Sequence, residues 1–158
     1  HIGGGDLSKR LQAEAARLGI AGRIDWLGKR DRTEVIAEMR AADLFALPSK
    51  IAGDGDRDGL PNVLMEAASQ RLPILATGVS AISEFVRDGR EAVLVPPGDP
   101  AALAAAIAAA ANDPAGRARR AEAAERRLRA AFGAEAGVEI IAARLSALLG
   151  EARARAAE

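Results

Sequence analysis

The sequence predicts an α/β fold, a Rossmann-like open parallel sheet with helices on both faces. Two observations predict it. Short, nearly continuous apolar runs at 43–47, 72–77 and 92–95 have the length and composition of strands covered on both faces. Between them lie longer stretches whose apolar residues recur at helical spacing, and strands alternating with helices of this length build parallel sheets.

Taken in order, His1-Ile2-Gly3 reads as the last residues of a strand whose beginning is missing, in a chain that lacks an initiating methionine. The sequence is therefore expected to be a piece of a larger protein. Gly3-Gly4-Gly5-Asp6 predicts a turn with Asp6 as the cap of a helix that carries Leu7, Leu11, Ala15 and Leu18 and stops at Gly19. The glycine cluster falls short of a dinucleotide fingerprint, because Ser8 stands where G-x-G-x-x-G has its third glycine. A tight strand-to-helix turn near a ligand edge is the plainer reading.

Residues 23–28 alternate polar and apolar and predict a strand, with Trp26 packed in the core or on the sheet rather than serving as a base-stacking platform. A helix from Asp31 or Thr33 to about Ala42 is expected to bury Val35, Ile36 and Met39. The strand at 44–47 leads through Pro48-Ser49 and an acidic loop into an apolar helix ending near Gln70, with Leu60-Pro61 in its first turn. A strand at 72–77, a short helix with Ile82, Phe85 and Val86, a turn at Asp88-Gly89 and a strand at 92–95 follow. Pro96-Pro97-Gly98 stops that strand. Asp99 caps a helix from about Pro100 to Ala111, which Asn112-Asp113-Pro114 breaks. Residues 117–129 hold almost no large apolar side chain and predict a solvated helix with a charged outer face. The last helix carries a stripe of Val138, Ile141, Leu145 and Leu148, which predicts packing; from Gly150 onward it is expected to fray.

Composition narrows the chemistry. At 158 residues the chain can bury a proper core, and it divides by pattern into a core over 1–112 and a helical extension of the same domain over 113–158. The formal net charge of zero gives no basic excess for nucleic acid. No cysteine is present, which excludes disulfides and thiolate metal sites, and the single histidine, His1, excludes histidine triads and His-cluster metal sites within this chain. Nothing approaches the run of roughly 20 apolar residues that spans a bilayer.

The densest functional signal is the stretch from Asp54 to Ala67. A strand, then a Gly-rich loop, then a helix places backbone N–H groups at the carboxyl edge of a sheet, where open α/β folds bind ligands. A helix start of this kind is an anion site, typically for phosphate. Asp58 before the helix and Glu66 two turns in bracket it. Asp54-x-Asp56-x-Asp58-Gly59 matches the first half of an EF-hand loop, but the twelfth position is Met65 and Glu66 lies one residue too far. Three other readings stand: Mg²⁺ held by Asp54 and Asp56 with substrate phosphates, a solvated loop of turn-forming residues, or a ligand site. Glu66 favours the last, because a carboxylate among Leu64, Met65, Ala67 and Ala68 needs donors if buried. A substrate hydroxyl pair would supply them, as would a backbone or arginine partner.

Asp43-Leu44-Phe45-Ala46-Leu47-Pro48-Ser49 followed by Asp58-Gly59-Leu60-Pro61-Asn62-Val63-Leu64-Met65-Glu66-Ala67 resembles the central signature of the retaining GT-B glycosyltransferases of family 4. The segments 76–86 and 88–99 resemble those that follow it there. The likeness covers roughly residues 1 to 112, and the acidic loop is most similar to bacterial exopolysaccharide and colanic-acid-type enzymes.

The resemblance implies the C-terminal, donor-binding domain of a hexosyltransferase that uses a UDP- or GDP-linked sugar, with no further cofactor and no metal. Glu66 would accept hydrogen bonds from the ribose hydroxyls. The Gly59 and Leu60 N–H groups would meet the diphosphate, and Asp58 would lie near the donor sugar as the catalytic acidic residue. Gly28, Lys29 and Arg30 would lie near the nucleobase, and the turn with Gly4 and Gly5 would border the site. The acceptor, a sugar or lipid-linked group, would bind a missing N-terminal domain, in a cytoplasmic protein or one peripheral on the inner membrane face. Two departures are visible: the family usually has glutamate where Asp58 stands, and its diphosphate-neutralising arginine and lysine fall upstream of His1. The chain alone is therefore expected to be inactive. The alternatives are a non-catalytic nucleotide-binding or interaction module, and a Ca²⁺- or Mg²⁺-organised loop.

Overall fold

The computed structural model describes residues 1–57 and 59–155, the side chains of 134–136 and 150–155 excepted. The chain divides into two compact units, His1–Ala41 and Ala42–Glu158.

In the first unit, helices α1 (Ser8–Arg17) and α2 (Arg32–Ala41) flank a short turn of 3-10 helix at Ala21–Arg23. Asp6 does not cap α1. The backbone itself closes the turn, with the Ser8 N–H donating to the Gly5 carbonyl at 3.0 Å, and the cap position falls on Leu7. The predicted stop at Gly19 is present in full. Gly19 takes φ +70, and the N–H groups of Gly19 and Ile20 return to the carbonyls of Ala16 and Ala15 at 3.0 and 2.9 Å. That double bond pattern satisfies two of the carbonyls a helix end leaves open. Helix α2 starts on a reciprocal cap: the Glu34 N–H donates to Asp31, and the Asp31 N–H donates to the Glu34 carboxylate.

Residues 23–28 do not form the expected strand. They make one parallel bridge, Ile2 with Gly28, supported by Gly3 N–H to the Gly28 carbonyl at 2.8 Å and Leu27 N–H to the His1 carbonyl at 3.0 Å. Trp26 is half-buried against the His1 ring, centroids 5.3 Å apart. Val35 and Ile36 are half-buried, and among large side chains of this unit only Met39 is buried.

The second unit holds the parallel sheet. Strands β1 (Phe45–Leu47), β2 (Ile74–Thr77) and β3 (Val93–Val95) lie in the order β1-β2-β3, with Phe45 opposite Ile74 and Leu75 opposite Val93. All four residues of β2 are buried, as a central strand requires. Strand β1 departs from the expectation of two covered faces: Ala46 is exposed, between the half-buried Phe45 and Leu47, so one face is uncovered. Helices α3 (Asn62–Ser69), α4 (Ile82–Phe85), α5 (Pro100–Ala111), α6 (Pro114–Ala131) and α7 (Ala134–Arg155) complete the unit. The core centres on Leu64, Leu75, Ile82, Phe85 and Val86, all fully buried. Each such side chain contributes roughly 1.5–3 kcal/mol through removal from water.

The expected cap at Asp99 holds, accepting from the Ala102 N–H at 2.9 Å, and the expected break at 112–114 also starts the next helix, with Asp113 accepting from the Gly116 N–H at 2.7 Å; each has proline in the first turn behind it. Two readings of the C-terminal helices are overturned. Helix α6 is no solvated rod: Gly116, Ala121, Ala124 and Glu125 are buried, and the helix packs on α3 and α5. Helix α7 runs on through Gly150 to Arg155, yet its stripe is bare, with Val138, Ile141, Leu145 and Leu148 between 49% and 65% exposed. Among the described residues no helix is long and apolar enough to cross a membrane.

Candidate functional site

The carboxyl ends of β1, β2 and β3 share one edge, as parallel pairing dictates, and the segment of greatest functional signal leaves from it. After Leu47 the chain passes Pro48-Ser49 into the acidic loop, which closes on itself. The Ala52 N–H donates to the Asp56 carbonyl at 2.8 Å, the Gly55 N–H to the Ala52 carbonyl at 3.0 Å, and the Asp56 N–H to the Asp54 carboxylate at 3.0 Å. Asp54 therefore acts as a turn residue. Among the described residues no three acidic or histidine side chains gather as a metal-binding set. Asp58, the candidate catalytic residue, lies outside the described residues.

Helix α3 then starts at the same edge. Its cap position is Pro61, with extended backbone (φ −65, ψ 124), one residue earlier in the helix frame than the sequence suggested. Proline offers no side-chain acceptor, so the cap residue itself leaves the first-turn N–H groups unmet. The Leu64 N–H turns back to the Pro61 carbonyl at 3.0 Å. Gly59, just before, faces open space: a Cβ built there would meet no atom within 4 Å. Glu66 stands half-buried on the second turn, beside the fully buried Ala67. Gly59, Leu60 and Glu66 are thus brought to one helix start.

The other candidate residues belong to the first unit, where they also cluster. Gly28 pairs with Gly3, and the Gly4 backbone lies over the Lys29 stem, whose Cγ would be 3.7 Å from an added Cβ. Gly5 supports the α1 turn, and Arg30 reaches Glu34 at 3.7 Å, a loose pair at the start of α2.

Two residues that sequence reasoning missed shape the second unit. The Thr77 hydroxyl, buried at the end of β2, donates to the Ser49 carbonyl at 2.5 Å and ties the β1 exit to the central strand. A polar side chain closing an otherwise apolar strand was the available signal, since a buried hydroxyl needs a partner. Arg71, at the C-terminal end of α3, takes φ +53, and its guanidinium bonds the buried Glu125 of α6. No pattern in the sequence marks that contact. A concavity of about 180 Å³ opens at the same sheet edge, bounded by Pro48, Lys50, Thr77, Pro96 and Asp99, and none of the candidate residues lines it.

Residues 1–113 match the family model described as glycosyl transferases group 1. The chain is 36% identical over 106 residues to the amylovoran biosynthesis glycosyltransferase AmsK of Erwinia amylovora, covering 67% of this chain and 26% of that protein. It is 37% identical over 107 residues to WcaL of Salmonella typhimurium, named for colanic acid biosynthesis, covering 68% and 26% respectively. Among solved structures, HepE of Anabaena in complex with UDP superposes with a TM-score of 0.82 at 26% identity, over 92% of this chain and 40% of that one. The chain thus spans about a quarter of the length of the curated relatives it matches.

Proposed function

The chain belongs to the group 1 glycosyl transferases, as the C-terminal domain of a GT-B, family 4 enzyme, and we infer that it holds the nucleotide-diphosphate-sugar donor of a retaining hexosyltransferase in bacterial polysaccharide or glycolipid synthesis. The single observation that carries the reading is the start of α3. Its N-cap residue, Pro61, offers no side-chain acceptor, and it stands at the carboxyl edge of a parallel sheet, open at Gly59, with Glu66 two turns in. The UDP and UDP-glucose complexes of HepE support a nucleotide-sugar donor, UDP- or GDP-linked.

In this reading the Gly59 and Leu60 N–H groups, with the α3 dipole behind them, take the diphosphate oxygens. Glu66 accepts from the two ribose hydroxyls, whose geometry suits a single carboxylate. Asp58 is assigned to the donor sugar as the acidic residue, and Gly28, Lys29 and Arg30, with Gly4 and Gly5, are assigned to the base. Binding orients the anomeric carbon, and leaving-group charge is met by N–H donors and basic groups. The acceptor comes from a further domain of the longer protein, cytoplasmic or peripheral on the membrane. No metal takes part. The helices over 113–158 serve as an extension of the donor domain.

Thermal melting of the 158-residue chain in EDTA with UDP, GDP or ADP tests this. A nucleotide at about 100 times its dissociation constant adds about 2.7 kcal/mol, a rise of roughly 5–10 °C for a chain of this size. UDP or GDP is expected to raise the melting temperature of the wild type and not of Glu66→Ala. No rise with any of the three nucleotides, either in this chain or in one extended upstream, would sink the donor-site reading, and steady turnover of a nucleotide sugar by this chain would contradict its inactivity.

A further inference from the structure

On another part of the second unit, α6 and the turn between α4 and β3 enclose an open groove of about 470 Å³. Its floor is alanine, with Ala123, Ala130 and Ala131 on one face of α6, and its walls are Arg87, Arg90, Arg126 and Arg127. The only acid on its lining is Glu91. That carboxylate is buried and fully engaged by one neighbour. The Arg87 backbone N–H and Nε each reach its Oε2 at 3.0 Å, and Arg87 Nη2 reaches Oε1 at 2.5 Å. Arg127 is likewise committed, donating from Nε to the Phe85 carbonyl and from Nη2 to the Glu84 carbonyl, both at 2.7 Å.

What remains is one cation bound to neutral carbonyls and two whose charge is little compensated. Arg90 is exposed, and Arg126 touches only Glu122 at 3.5 Å, with both side chains more than half exposed. Such a loose surface pair adds little. Four guanidiniums against Glu91 in the lining and Glu122 beside it leave a positive excess around one groove, in a chain whose formal net charge is zero. Two arginines pre-ordered by their bonds beside two with open forks form a receptor for tetrahedral oxyanions. Guanidinium forks match phosphate oxygens in pairs, which an ammonium cannot do.

We propose that the groove between α6 and the α4–β3 turn binds a phosphate group, carried either by a soluble phosphorylated compound or by a lipid headgroup, with Arg90 and Arg126 as its gripping residues. The proposal is independent of the donor-site reading, since it shares no residue with it.

The test follows backbone amide and arginine Nε–H signals by NMR during titration with inorganic pyrophosphate, alongside co-sedimentation with phosphatidylglycerol and with phosphatidylcholine vesicles. The wild type is compared with the pair Arg90→Gln, Arg126→Gln and with Arg10→Gln as a surface-charge control. The expected result is saturable shifts confined to 87–91 and 123–131, with affinity reduced about tenfold or more in the double variant and unchanged in the control. Sedimentation with phosphatidylglycerol but not phosphatidylcholine, lost in the double variant alone, would assign the phosphate to a lipid. Pyrophosphate binding without sedimentation would assign it to a soluble compound. Arg90→Lys with Arg126→Lys keeps the charge and removes the forks, so it should bind pyrophosphate more weakly than the wild type. Binding unchanged in the Gln pair, shifts spread over the whole surface, or no saturable response to either probe would overturn the proposal. Nucleotide melting of the same Gln pair keeps the two readings apart, since UDP stabilisation there should match the wild type.

Discussion

Helices α6 and α7 are neighbours in the chain, and their surroundings invert what their compositions suggest. Helix α6 carries six arginines, two glutamates and one large apolar residue, Leu128, yet it is built into the second unit. Helix α7 carries six large aliphatic residues between Val138 and Leu149, yet all six are at least 49% exposed. Burial in α6 rests on small side chains. Ala121 and Ala124 let its backbone approach α3, and charged groups then fasten it at several points. Glu125 takes Arg129 at 2.7 Å and Arg71 from the end of α3, Arg127 holds the last carbonyls of α4, and Phe132 meets Phe85 edge to face at 4.9 Å. An apolar stripe, by contrast, gains nothing unless another surface removes it from water. The contrast teaches that hydrophobic content measures what a helix would gain from a partner, while small residues and directed polar contacts decide whether it has one.

Phe85→Ala should test that anchoring with the largest effect. The ring is fully buried and seats the end of α6, so its loss should cost about 3–5 kcal/mol, read as a fall in the urea midpoint. Ala124→Leu forces extra volume into the closest approach and should cost about 1–3 kcal/mol. An unchanged midpoint there would mean that α6 is not closely packed.

Glu125 supplies a pH signature. The Arg129 and Arg71 guanidiniums hold its carboxyl below the ordinary value of 4.5. A depressed folded value means that the charged form stabilises the fold above the ordinary value, and that this contribution is lost as pH falls through the folded one. Glu91, held down by Arg87, acts in the same direction. Glu125→Gln should therefore have a lower urea midpoint than the wild type at pH 7, with the gap narrowing as pH falls below the ordinary carboxyl value of 4.5. A gap that stays constant down to pH 2 would show that the two arginines do not depend on the charge. At the small end, Ile141→Ser and Leu145→Ser on α7 should each move the midpoint by no more than about 0.5 kcal/mol, as exposed positions do. A larger loss in either would place α7 against a partner surface in solution.

The class of fold and most element boundaries were legible because they rest on local chemistry. Pro100 behind Asp99, Pro114 behind Asp113 and the glycine at position 19 mark helix ends through bonds made within four residues. The helix start at Gly59-Leu60-Pro61 was legible for the same reason, since strand, glycine loop and helix follow one another directly. Misreadings fall where a partner distant in sequence decides. The stretch 23–28 pairs through a single bridge to Ile2, and Ala46 lies on an uncovered face of β1, both matters of what lies beside the segment in space.

Arg71 shows the limit most clearly. A position at φ +53 after a helix favours glycine, which avoids a steric cost of roughly 1 kcal/mol. The arginine there makes sense only once Glu125, fifty-four residues on, is seen beside it. Residue identities alone thus settled where the chain turns, caps and extends, because those choices are made by neighbours along the backbone. Which faces are buried, which charges are paired and which grooves stay open came from the packed structure, because burial and pairing depend on surfaces that the chain brings together only after it folds.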